Sequence, residues 1–92
     1  MNLTEEQQDI INPVIIFLDT NVKIRDVNKY NTFWLDVPKN YNEIISNVNH
    51  ICDFLGCGIV WIDKHTDIIT IWKDNPDIDG EDPLYCVHLY LK

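Results

Sequence analysis

Between positions 41 and 55 apolar residues recur at intervals of three and four, namely Tyr41, Ile44, Ile45, Val48, Ile51, Cys52 and Leu55. That spacing lays them along one side of a helix. Asn40 with Glu43 three residues on forms a start signal, and Gly56 suits the left-handed position that closes a helix. The pattern predicts a main helix over 40–55 with Asn42, Asn47, Asn49, His50 and Asp53 facing water. Downstream the period falls to two. GIVWID and DIITIWK are β-rich runs about a polar KHT tip, the pattern of a hairpin. Pairing Asp63 with Ile68 puts Val60, Ile62, Ile69 and Ile71 on one face, and Ile59, Trp61, Thr70 and Trp72 on the other. LYCVHLYL makes a last strand, with Tyr85, Val87, Leu89 and Leu91 on one side and Leu84, Cys86, His88 and Tyr90 on the other.

The amino-terminal third is less regular. Thr4 with Gln7 three residues on has the arrangement of a capping box, which predicts a short helix from about 4 to 11, ended by Asn12-Pro13. VIIFL (14–18) and VKIRDV read as two strands joined by the turn Asp19-Thr20-Asn21. The positions Leu3, Gln7, Ile10, Val14, Leu18 and Val22 also fall near helical spacing, which keeps open one longer helix kinked at Pro13. NKYNTFWLDVP reads as a helical turn or a short strand before Pro38. The fold class expected is α+β: one small domain over residues 1–92, with a mostly antiparallel sheet of about three to five strands packed on the main helix and a short amino-terminal helix.

A sheet covered on one side shows polar residues on the other. Here the second face carries Trp61, Trp72, Cys86, His88 and Tyr90. The simplest cover is the segment 3–35; a second copy of the chain or a partner protein are the others.

Composition narrows the function. The chain has 92 residues, 46% of them hydrophobic, enough for one core. Its longest apolar runs are too short to span a bilayer, and the acidic opening MNLTEEQQD is unlike a secretory signal, so a cytoplasmic location is expected. Three cysteines at irregular spacing make a poor disulfide framework. A formal net charge of −8 points to a basic protein partner and away from direct binding of nucleic acid or membrane.

The densest chemistry is KDNPDIDGEDP, residues 73–83, whose eleven residues hold five carboxylates: Asp74, Asp77, Asp79, Glu81 and Asp82. Aligned on Gly80 as a calcium-loop glycine, Asn75, Asp77 and Asp79 take the first three ligand positions, but Cys86 falls where a bidentate glutamate is needed. The flanks are strand-like as well. The segment reads as a solvated acidic connection and a candidate partner surface, together with Trp61, Trp72 and Tyr90. His50, Cys52, Cys57, Cys86 and His88 lack the tight paired spacing of zinc ligands. Cys86 and His88 share a strand face, yet acidic surroundings raise a thiol pKa and disfavour a nucleophilic thiolate. No phosphate-binding or nucleophile-elbow motif is present. No metal, cofactor or enzymatic activity is expected.

In FLDTNVKIRDVN, Asp19, Ile24 and Asn28 fall at the spacing that opens PAS sensor domains, and this stretch resembles that family. The resemblance implies an acidic residue closing a first strand, an aliphatic residue beginning a second and an asparagine ending it, within an order of two strands, helical segments and three strands. Val22 stands where that pattern wants a turn glycine. Two functions are therefore expected in turn: an acidic inhibitor or antagonist that occupies a basic surface of a partner, in the extreme a nucleic-acid-binding one, similar to phage-type anti-defence or takeover proteins; and a PAS-like sensing or dimerisation module.

Overall fold

The computed structural model describes residues 2–56, 59–63, 67–74 and 83–92, with the backbone alone for 59–63. In chain order the elements are α1 (Glu5–Leu18), β1 (Lys23–Val27), β2 (Thr32–Val37), α2 (Tyr41–Leu55), β3 (Ile59–Asp63), β4 (Ile68–Asp74) and β5 (Pro83–Leu91). The strands form one sheet in the order β1-β2-β5-β4-β3. β2 and β5 run parallel, and the other neighbours are antiparallel. The fold is α+β, with a mixed sheet.

The main helix has the expected form. The Asn40 side chain accepts from the Glu43 backbone N–H and donates to the Glu43 carboxylate, and Gly56 closes the helix at φ 63°. Among the five residues expected to face water, Asn47 differs. It is half-buried, and its Nδ2 donates to the carbonyls of Phe17 (2.9 Å) and Leu18 (3.3 Å). These carbonyls belong to the last turn of α1, where a helix has no N–H donors of its own to offer them.

The amino-terminal reading needs correction. α1 does not stop near residue 11 but continues through Pro13 to Leu18, so VIIFL is helical and the longer-helix alternative describes it. Burial decides this. Ile11, Val14 and Leu18 lie on one stripe and are fully buried, each worth about 1.5–3 kcal/mol, which outweighs the roughly 3 kcal/mol that an interior proline costs. The capping box at Thr4 and Gln7 is present, and Gln7 does more than cap. Its Nε2 donates to the carbonyl of Asn28, tying the start of α1 to the β1–β2 turn. Asp19, in the left-handed conformation at φ 51°, closes α1 and not a strand, so it does not play the part that the PAS resemblance assigned to it. Two strands, a helix and three strands do follow one another, but the two strands are β1 and β2, with NTFWLDVP supplying the second.

The hairpin register is the expected one, with Asp63 opposite Ile68. Phe33, Leu35 and Val37 of β2, Ile69 and Ile71 of β4, and Tyr85, Val87 and Leu89 of β5 form one core cluster with the buried stripes of both helices. α1 and α2 therefore cover the same side of the sheet.

Replacing Asn47 by Ala should remove the bond between the helices and strand two carbonyls. A loss of about 1–2 kcal/mol in denaturant unfolding is expected, against no more than about 0.5 kcal/mol for exposed Asn49→Ala.

Candidate partner surface on the open sheet face

Alternation along each strand sends every second side chain away from the helices. On β2 these are Thr32, Trp34 and Asp36; on β5, Leu84, Cys86, His88 and Tyr90; on β4, Ile68, Thr70 and Trp72. The register sets them in rows. Trp34 is opposite His88 and His88 opposite Thr70, while Asp36 is opposite Tyr90 and Tyr90 opposite Ile68. No described element lies over these rows. The expectation that residues 3–35 cover them fails, because α1 packs beside α2 and residues 23–35 lie in the sheet or its first turn.

The rings cover one another instead. Trp34 stacks on His88 with centroids 5.8 Å apart and planes 23° from parallel. His88 Nδ1 is 2.9 Å from Thr70 Oγ1, and its Nε2 is 3.6 Å from Cys86 Sγ. Arg25 reaches across from β1, its Cζ 3.9 Å from the Tyr90 ring centroid, and donates to the Asp36 carboxylate. Trp72 Nε1 donates to Asp74 at 2.9 Å. Trp34, Trp72, His88 and Tyr90 all remain partly exposed, and Leu84 is exposed.

Electrostatics divide this face along its strands. Toward the Leu91 end, Lys23 and Lys92 line a groove of about 330 Å³ with Asp36 and Tyr90, and Arg25 lies beside it. At the other end β4 finishes at exposed Asp74, opposite Pro83, and the acidic segment joins the two strands there. Desolvation raises the Cys86 thiol to about 11, so the thiol is protonated at neutral pH and is no thiolate nucleophile. Desolvation also lowers His88, which favours a neutral ring. Among the described residues no three metal-ligating side chains converge, and no helix is long and apolar enough to cross a membrane.

Of the residues singled out from sequence, Trp72 and Tyr90 lie on the open face, and Asp74 stands at its edge. Trp61 pairs with Thr70 through its backbone, but its side chain lies outside the described residues, as do Asp77, Asp79, Glu81 and Asp82. Trp34, Arg25 and Asp36 were missed. The period-two alternation of TFWLDV would have placed Trp34 and Asp36 outward with Phe33, Leu35 and Val37 inward. Comparison with protein-family models, curated proteins and solved structures finds no match.

The lowered pKa of His88 gives a pH test. The unfolded chain, with an imidazole near 6.5, takes up a proton before the folded one does. The stability tied to neutral His88 is therefore complete above that value and is lost as pH falls through the lower folded value. Unfolding measured from pH 7.5 to 5 should show a decline that is shallower in His88→Asn. Equal slopes would show that this ring is not desolvated.

Proposed function

We propose that the protein is a non-enzymatic acidic binding protein, an inhibitor or antagonist that occupies a basic surface of a partner protein. The observation that supports this most is the open sheet face: a row of aromatic side chains with no described element over it, bordered at one end by Asp74, after which the sequence holds four further carboxylates. Large rings left partly wet forgo burial of roughly 1.5–3 kcal/mol each, which association with a partner recovers. The net charge of −8 selects a basic partner and opposes pairing of two copies through the same face. A PAS-like sensing or dimerisation module is the alternative, favoured by the succession of two strands, helix and three strands.

Thr70→Lys tests both. Thr70 sits mid-face beside His88, and a lysine there reaches solvent, so the variant should melt close to wild type. Wild type should sediment as a monomer and capture a basic protein from cell extract at low salt, and Thr70→Lys should weaken that capture by about tenfold or more. Exchanging Asp77, Asp79, Glu81 and Asp82 for Asn and Gln should reduce the salt dependence of capture. A dimeric wild type that Thr70→Lys splits supports the dimerisation module. Loss of several kcal/mol of stability in Thr70→Lys would mean that the face is covered core, contrary to the proposal.

A further inference from the structure

Arg25 shows what this face does with a guanidinium. The cation lies over one aromatic ring, Tyr90, while bonding to a carboxylate on the neighbouring strand, Asp36. A ring supplies the electron-rich surface over which a planar cation lies, and the carboxylate accepts its N–H groups. Arg25 is the chain's only arginine.

A second ring and carboxylate stand at the opposite end of the face. Trp72 donates its indole N–H to Asp74 Oδ1, which fixes the carboxylate beside the ring, and both side chains reach solvent. One accepted bond leaves most of the lone-pair capacity of a carboxylate unused. Among the described residues no Lys, Arg or His side chain bonds to Asp74. Lys73 turns to the other side and donates to the Gly56 carbonyl at 2.9 Å, and Lys29 lies 5.1 Å from the Tyr30 ring centroid. The segment 75–82, NPDIDGED, contains no Lys, Arg or His.

We propose that Trp72 and Asp74 form a receptor for an arginine side chain of the partner, a counterpart at the Asp74 end of the site that Arg25 fills. This rests on the open face being the partner surface. It narrows the partner from a basic protein to one presenting arginine, because a guanidinium can stack on the indole and fork to the carboxylate together, whereas an ammonium is a hydrated point charge. The polarity of the face sets the orientation, with the arginine at the Asp74 end, away from Lys23, Arg25 and Lys92.

The probe is a pair of blocked hexapeptides, one with four arginines and the other with four lysines, titrated into isotopically labelled protein while the tryptophan indole N–H signals are followed by NMR. The Trp72 signal should shift saturably, with the arginine peptide about threefold or more tighter, the factor of an exposed cation–π contact. Asp74→Asn keeps an acceptor for the indole N–H, so the fold is undisturbed, and it should abolish the preference. Asp53→Asn, an equal change of charge on exposed α2, should leave it. Equal affinity for the two peptides, or equal weakening by the two variants, would reduce the effect to diffuse attraction and overturn the proposal. Shifts confined to Trp34 would overturn this site while sparing the open-face reading; no shift on any face residue would count against both.

Discussion

The structure depends on the two helices burying their stripes against the same side of the central strand. β5 pairs with β2 on one flank and β4 on the other, and its inward residues Val87 and Leu89 are fully buried beneath α1 and α2. A sheet of this kind has two faces of equal area, and the described chain supplies helices to one. Once α1 continues through Pro13 and lies beside α2, nothing described remains to cover the other. The tie from Asn47 to the last carbonyls of α1, and that from Gln7 to the Asn28 carbonyl, hold α1 in that position at both of its ends.

The uncovered face must be tolerable in water, yet it carries indole, imidazole and phenol rings. Its side chains respond by leaning on one another: Trp34 against His88, Arg25 across Tyr90. The His88 ring nitrogens meet Thr70 and Cys86, and the Arg25 guanidinium meets Asp36, so much of the polar capacity of these contacts is used within the face while ring area stays exposed. The same leaning buries Cys86 and pushes its thiol up to about 11, which makes it packing material. Charge then orders the face from its lysine-bearing groove to the Asp74 carboxylate opposite Pro83.

Much of this could be read from the sequence where one period dominated. The stripe from Tyr41 to Leu55, with Asn40 and Gly56 as its ends, left no competing pattern. In the β3–β4 hairpin a one-residue slip would have put Ile69 and Ile71 in water, so the register was fixed by burial. β-branched VIIFL was ambiguous because local preference and helical spacing disagreed, and only the partner stripe on α2 resolves the conflict. Strand parity correctly turned Trp72, Cys86, His88 and Tyr90 away from the helices. Which side α1 would choose is a matter of packing between distant segments, and with it went the question of cover. Trp34 was lost for a related reason: NKYNTFWLDVP carries turn-forming asparagines beside a short strand, and its alternation becomes meaningful only when β2 is seen against β5.

The central claim is that the sheet has one buried and one open face in the isolated chain. It is tested most directly with Trp34 as the only tryptophan, after Trp61→Phe and Trp72→Phe, by acrylamide quenching of its fluorescence in dilute monomeric protein. Quenching that approaches that of a tryptophan in a short peptide, with little change on partial unfolding, is the predicted result. Protection like that of a core indole, relieved only when the protein unfolds, would contradict the account and require an element over that face.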